Sequence, residues 1–492
     1  MTKLSELSKG AFFSAGAKLL SKLIGFVSTL LLARLLTPSD FGIIAAISIA
    51  LYFFDVFGNA ATEQYIMQKS RLSSSELNTA WSINFILKCV ICIILICLSS
   101  VVANSLNMPE IATGLMVMSL VLPLNALRSP SLLQQKRMVR YQGIFALSMV
   151  EKVVAFVTVL TVALLLESYW AFIIADLVSV SVGSLLSYVL FKKYPQFDLT
   201  SWREQFSFSG WMLGKNMIGY LRSQADTIFI SRFFSANSLG QYHLSRELAM
   251  MPGHYLLAPA LEPMLSALRE TAKVRDYFFQ QVSSALVVTF IISIPIATFL
   301  SFFANPISML LLGKQWDMAG LVLGVLAWLV VYWGAVYVLE IAQIAQGKVK
   351  ALFLFDLFSL LCILGALVAA FLSSASISEV GVYRVSLGFL TTLLLFSVMY
   401  FKHSMLAVTV LCWGAGTFLI SMISAAAAKF FARTLLTLSE RNEVFETMLS
   451  LSLSGLCFLI CYAFGLSTAI FISRKTKVTG QLISILKSAV GR

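Results

Sequence analysis

Charged side chains inside apolar sequence are where this chain could do chemistry. Nine bases lie within otherwise hydrophobic runs: Lys18, Lys22, Lys88, Arg128, Lys152, Lys215, Arg222, Arg246 and Arg384. Acids lie there too, notably Asp55, Glu151, Asp176, Asp226 and Glu247. A charge held at the centre of a membrane helix costs at least about 2.5–3.5 kcal/mol, so each one kept needs a use. Lys88, Arg128 and Arg384 sit near the ends of their runs and read as interfacial anchors whose stems reach the headgroups. Lys22, Lys152 and Arg222 are deeper. Lys18 and Lys22 are four apart and share a helix face, and Lys215 and Arg222, seven apart, share another. Cations lining an aqueous path let an anion cross cheaply. The candidate anion ligands are therefore Arg222, Lys22, Lys18, Lys152 and Lys215. Arg222 is the strongest, because a guanidinium grips oxyanions through two parallel hydrogen bonds. Asp226, Asp55, Glu151 and Glu247 are candidate coupling or pairing acids. Arg222 with Asp226, and Lys152 with some acid, are alternatively structural pairs.

The elements that position these residues are membrane helices. The 492 residues are 59% hydrophobic and only 12% charged, with a mean hydropathy of +0.88. A soluble domain is about 25% charged. Runs long enough to span a bilayer fall near 12–33, 42–62, 80–103, 111–133, 144–166, 169–191, 208–230 and 239–262. They continue near 281–303, 319–341, 351–372, 379–400, 405–428 and 447–472, giving an all-α polytopic protein of about fourteen spans. The runs over 208–262 are the most polar. Lys18 and Lys22 interrupt the first run and no small-residue cleavage site follows it, so it reads as a retained helix.

A hairpin occurs twice. Leu30 to Gly42 runs through Arg34-Leu35-Leu36-Thr37-Pro38-Ser39-Asp40-Phe41, and Ile228 to Gly240 runs through Arg232-Phe233-Phe234-Ser235-Ala236-Asn237-Ser238-Leu239, 198 positions later. Each is an apolar run, an Arg, two apolar residues, a polar turn and a Gly. Duplicated halves around a midplane site are a transporter architecture. We expect two six-helix lobes, 1–200 and 201–402, and a terminal pair with a tail over 403–492.

The net charge of +13 is topological rather than a nucleic-acid footprint. With the N-terminus inside, the inner segments carry twenty-one basic residues and the outer segments six. That is a strong positive-inside bias, placing both termini in the cytoplasm and basic patches against anionic lipid.

Enzyme signatures are missing. No two aspartates are two apart, no phosphate-binding Gly-x-x-x-x-Gly-Lys-Ser/Thr is present, and three His cannot build a clustered metal site; no cofactor or metal is expected. The seven Cys all fall in apolar runs, and Cys89-x-x-Cys92 reads as packing rather than a metal or redox pair. Pro252-Gly253-His254, Pro123 and Pro295 fall inside spans and mark kinks. His254 reads as a buried donor rather than a proton-coupling group.

Gly10-Ala11, the Leu31–Gly42 segment, Gln68-Lys69 and Glu76-Leu77-Asn78-Thr79-Ala80-Trp81 together resemble the polysaccharide-flippase branch of the multidrug/oligosaccharidyl-lipid/polysaccharide exporter superfamily. Phe208-Ser209-Gly210-Trp211, Ala225-Asp226-Thr227-Ile228 and Leu239-Gly240-Gln241-Tyr242 extend the likeness. Residues 280–492 agree only in hydropathy. Lys22-Leu23-Ile24-Gly25-Phe26-Val27 also resembles the first helix of the related peptidoglycan-precursor flippases, in which a base at the Lys22 position faces the cavity; their second base is Ser28 here.

The resemblance implies a flippase in the bacterial inner membrane. It would carry undecaprenyl-diphosphate-linked oligosaccharide from the inner to the outer leaflet by alternating access, with the diphosphate among the five cations. Implied partners are the lipid-linked substrate, membrane lipids, and a polysaccharide polymerase with its chain-length machinery. A cation-coupled exporter of small drugs or metabolites is the alternative, and it predicts an acidic cavity. A membrane-embedded polymerase is a further one, which would need a long outer loop.

Overall fold

The computed structural model describes residues 20–59, 65–66, 72–138, 140–261, 264, 268, 271, 274–436 and 443–472. Every regular element among them is helical, and the protein is a multi-pass membrane protein. Ten helices are long and apolar enough to cross a bilayer, or eleven if one bent pair counts as a single span. Three of the fourteen expected spans lie outside that number. They are α1 over 20–35, α9 (Trp202–Phe233) and α10 (Ala236–Pro252). The described part of α1 is short. Helix α9 carries too many charges, with Arg203, Glu204, Lys215, Arg222, Asp226 and Arg232 along it, and α10 is short at 17 residues and polar, with Arg246 and Glu247 on it.

The chain divides into two compact units, Met1–Gly240 and Gln241–Arg492. In the first, α1 turns into α2 (Pro38–Asn59) through a reciprocal cap. The Asp40 carboxylate accepts from the Thr37 backbone N–H at 3.1 Å and the Thr37 hydroxyl at 2.6 Å, while the Asp40 N–H donates to the Thr37 hydroxyl oxygen at 3.3 Å. Pro38 suits the first helical position, where no N–H is needed. The other Asp40 oxygen accepts from the Tyr169 backbone N–H at 2.9 Å, so this cap also holds the turn before α8. The second hairpin repeats the device more weakly: the Ser238 N–H donates to the Ser235 hydroxyl oxygen at 3.2 Å. Gly42 and Gly240, equivalent in the two copies, let the start of α10 press on the start of α2.

Next comes α3 (Ser74–Ser105), opened by a capping box of Ser73 and Glu76. The fourth expected span is broken. It consists of α4 (Ile111–Ser119), α5 (Val121–Ala126) and, after a 66° bend, α6 (Ser131–Arg137). Pro123 and Pro130 cannot donate to the helical ladder. Along α7 (Gln142–Leu166) and α8 (Trp170–Phe191), it is α8 that repairs the break. Ser184 donates to the Leu124 carbonyl at 2.5 Å, Tyr188 donates to that of Leu127, and the Ser129 N–H reaches the Ser187 hydroxyl at 2.9 Å. Broken backbone at membrane depth persists only where side chains satisfy it in this way. The α8–α9 linker is tied to the start of α3: Asp198 accepts from Ser75, and its N–H donates to Ser82 at 3.0 Å.

In the second unit, α10 passes into a π-helical turn, Gly253–Leu257, then α11 (Ala258–Leu261). The remaining helices are α12 (Arg275–Phe302), α13 (Ala304–Leu311), α14 (Ala319–Leu326), α15 (Leu329–Ala345), α16 (Val349–Leu372), α17 (Ile377–Tyr400), α18 (Ser404–Leu436) and α19 (Glu443–Ile472). Its main core gathers Phe278, Phe279 and Val282 of α12 with Val331, Val338 and Leu339 of α15 and Phe396 of α17. A satellite cluster of Phe303, Ala425, Ala428, Phe458 and Tyr462 docks α18 and α19, and the Tyr462 hydroxyl donates to the Ile291 carbonyl of α12 at 2.7 Å.

Candidate functional site

The structure sorts the intramembrane charges differently from the sequence. Lys88 does not reach for a membrane surface. It is 3% exposed, and its ammonium lies 3.1 Å from Asp55 Oδ1. The helix that carries it starts at Ser74, before the apolar run begins, so Lys88 is near its middle. Arg128 likewise turns inward, with Nη2 2.8 Å from Glu151 Oε1. Gly183 of α8 makes room for that carboxylate, since a Cβ there would fall 1.7 Å from Glu151 Oε1. Arg384 is buried, its guanidinium 5.4 Å from the centre of the Tyr332 ring. All three expected anchors make internal contacts instead, because each meets a partner on a neighbouring helix: Asp55 for Lys88, Glu151 for Arg128 and Tyr332 for Arg384.

A polar thread results, crossing four helices of the first unit. Tyr52 of α2 lies within electrostatic reach of Asp55 and Asp176. Asp176 of α8 is in reach of Lys152, and Lys152 in turn of its neighbour Glu151. Lys88, Lys152 and Arg128 thus face Asp55, Asp176 and Glu151, three of each sign. Asp55 and Glu151 are pairing acids here. Asp176 and Tyr52 were missed as site residues; four-helix geometry, not spacing in one helix, brings them in.

Of the five candidate anion ligands, Lys18 lies outside the described residues, as does the side chain of Lys215, whose backbone is part of α9. Lys152 is exposed and set among acids. Lys22 on α1 and Arg222 on α9 are half-buried. Arg222 follows the point where the Tyr220 hydroxyl donates to the Ile49 carbonyl at 2.7 Å, which ties α9 to α2. Asp226, one turn on, is fully buried. Glu247 is exposed on α10, in electrostatic reach of His243 and Tyr255. His254 is not the buried donor expected. It is exposed on the π-helical turn, edge-on to Trp333 with centroids 5.2 Å apart.

Known proteins resemble this chain in sequence and in fold. The chain is 25% identical over 307 residues to the succinoglycan biosynthesis transport protein ExoT of Rhizobium meliloti, covering 61% of this chain and 62% of that one. It is 24% identical over 332 residues to the lipopolysaccharide biosynthesis protein WzxC of Escherichia coli, covering 64% and 65%. The match thus spans a little under two thirds of these relatives' length. Among solved structures, the lipid II flippase MurJ in an inward closed conformation superposes with a TM-score of 0.71 at 15% identity, over 94% of this chain and all of that one. An inward-facing multidrug resistance MATE family transporter of the MOP superfamily superposes with a TM-score of 0.59 at 13% identity, over 79% and 96%. These two establish the fold. The model of the family described as polysaccharide biosynthesis protein matches residues 31–321, more than half of the sequence, and the chain belongs to that family.

Proposed function

We propose that the protein is a flippase, moving undecaprenyl-diphosphate-linked oligosaccharide from the inner to the outer leaflet of the bacterial cytoplasmic membrane without itself catalysing a covalent step. Membership in the family over residues 31–321 carries the reading. The fold it shares with a lipid II flippase supports it. In this reading both termini are cytoplasmic, in line with twenty-one inner against six outer basic residues. The lobes over 1–200 and 201–402 do the work, with the terminal pair over 403–492 beside them.

Alternating exposure of one site to the two sides moves the lipid, and Lys22 and Arg222 hold the diphosphate, Arg222 as the two-pronged ligand. By sequence spacing alone, Lys18 and Lys215 fall on the faces of Lys22 and Arg222. Lys152 has Asp176 and Glu151 as neighbours, which makes it a weaker claimant. A polymerase and its chain-length machinery would consume the product.

The test is deletion of the gene in a strain that makes the polysaccharide. Lipid-linked oligosaccharide should accumulate in the inner leaflet while surface polysaccharide disappears. Normal surface polysaccharide with new sensitivity to cationic drugs would instead establish a drug exporter. Cysteines placed at Ser39 and Ser235 should be labelled from outside intact cells, and one at Gln135 only after permeabilisation.

A further inference from the structure

The second unit carries a polar and aromatic face that the anion site leaves unused. On α10, His243, Glu247 and Met250 follow helical spacing along one side, and His254 comes just after, in the π-helical turn. His243 lies in electrostatic reach of Glu247 and Arg246, and Glu247 of Tyr255, so the charges form one patch. A charged stripe on a membrane helix turns away from lipid toward protein or water. The stripe ends in the π-helical turn Gly253–Leu257, an irregularity that costs a regular hydrogen bond and recurs at functional sites.

At that turn α10 meets α15. Gly253 permits the approach, since a Cβ there would come within 3.1 Å of Val330 and 3.3 Å of Trp333. Trp333 and Tyr337, one helical turn apart, stack with centroids 5.3 Å apart and planes 18° from parallel. Both are only half-buried, and Glu340 follows on the same side of α15. His254 lies against Trp333, with ring centroids 5.2 Å apart and planes 69° from parallel.

We propose that this face, Trp333 and Tyr337 with His254 against them, Glu340 further along α15 and Glu247 on α10, is a binding platform for the sugar rings of the cargo. The inference rests on reading the cargo as a lipid-linked oligosaccharide. A pyranose ring has a flat face of C–H groups and a rim of hydroxyls. Broad, rigid aromatic surfaces cover the first at low entropic cost, and carboxylates and imidazole accept from or donate to the second. A planar cation would also stack on Trp333. Arg246 beside Glu247 offsets part of that carboxylate's negative charge, and ethidium binding distinguishes a cation site from a sugar site. The platform's helices, α10 and α15, carry neither Lys22 nor Arg222. Sugar and diphosphate recognition are therefore separable by mutation.

The experiment uses the full chain, purified in detergent, and native mass spectrometry to count bound lipid. The probes are the undecaprenyl-diphosphate-linked repeat unit extracted from the producing strain and undecaprenyl diphosphate bearing no sugar. Trp333→Leu should weaken binding of the sugar-bearing lipid on the order of tenfold and leave the bare lipid unchanged. Trp333→Phe, which keeps a ring in place, should restore most of the loss and guards against a folding defect. Equal binding of the sugar-bearing lipid by wild type and Trp333→Leu overturns the platform while leaving the flippase standing. Equal weakening of both lipids, or loss of ethidium binding in place of sugar binding, also overturns it. Failure of the wild-type chain to bind either lipid removes the flippase reading and the platform with it.

Discussion

Gly42 and Gly240 sit against one another's helix starts in a reciprocal contact. A methyl group on Gly42 would fall 1.8 Å from the Ala236 carbonyl oxygen, and one on Gly240 would fall 1.7 Å from that of Pro38. Pro38 and Ala236 are separated by the same 198 positions as the two glycines. Each copy of the hairpin thus offers a carbonyl to the other's glycine, the pattern of a two-fold contact. Only a residue without Cβ permits backbones this close.

Gly42→Ala and Gly240→Ala should each destabilise the protein by roughly 1–3 kcal/mol, the range for forcing a methyl group into a filled site. Gly25→Ala should have no comparable effect, because nothing lies within 4 Å of a Cβ there. Thermal unfolding of the purified protein measures both. A melting point for Gly42→Ala equal to that of Gly25→Ala would mean that the two helix starts yield freely.

Breaking the Lys88–Asp55 pair should cost more than removing it. Lys88→Met alone leaves a carboxylate among packed helices, a loss of about 3–5 kcal/mol for a buried pair. The double variant Asp55→Leu/Lys88→Met should recover much of that. The comparison needs both melting points, and a double variant no better than the single one would contradict it.

Neutralising Lys22 or Arg222 should stop export while the protein stays inserted and abundant. Arg128→Ala should act otherwise and lower abundance, since it strands Glu151 beneath Gly183. Immunoblotting beside surface-polysaccharide staining separates the two outcomes. Normal export from both Lys22→Ala and Arg222→Ala would remove the anion site.

Asp198, in the α8–α9 linker, is held ionised well below its ordinary range. Hydrogen bonds from the Ser75 hydroxyl and from the Thr200 hydroxyl and N–H bring its pKa from 3.8 down to about 2. A carboxyl depressed by folding stabilises the protein above its unfolded pKa, and that contribution disappears as the pH falls from about 4 to about 2. Ser75→Ala should therefore flatten the dependence of the unfolding midpoint on pH in that window. An unchanged slope would show that these hydrogen bonds do not act on the charged form.

The sequence discloses most where a local rule is enough. Thr37, Pro38, Asp40 and Gly42 mark a helix start by their types alone, and their counterparts at 235–240 expose the duplication. Pro123 foretells a break in its span. Lys88, Arg128 and Arg384 could not be placed correctly. Whether a long side chain reaches outward or inward depends on how its helix is turned and on which acid a neighbour presents. The hydropathy of one segment records neither. Asp176 and Tyr52 enter for the same reason, through α2 and α8 packing beside α3 and α7. His254 is exposed because it sits in a π-helical turn, and no pattern of residue types announces the extra residue of that turn.

The close pairing of Lys88 with Asp55 and of Arg128 with Glu151 has an electrical consequence. Carrying one elementary charge across the full membrane potential is worth about 2.3 kcal/mol per 100 mV. Two opposite charges about 3 Å apart that travel together carry almost nothing. The voltage across the membrane therefore has little grip on this part of the first unit, however far its helices move. Any electrical bias on the transport cycle must act through charges that are not locked to an opposite, on the protein or on the phosphates it carries. The paired residues make the scaffold electrically quiet.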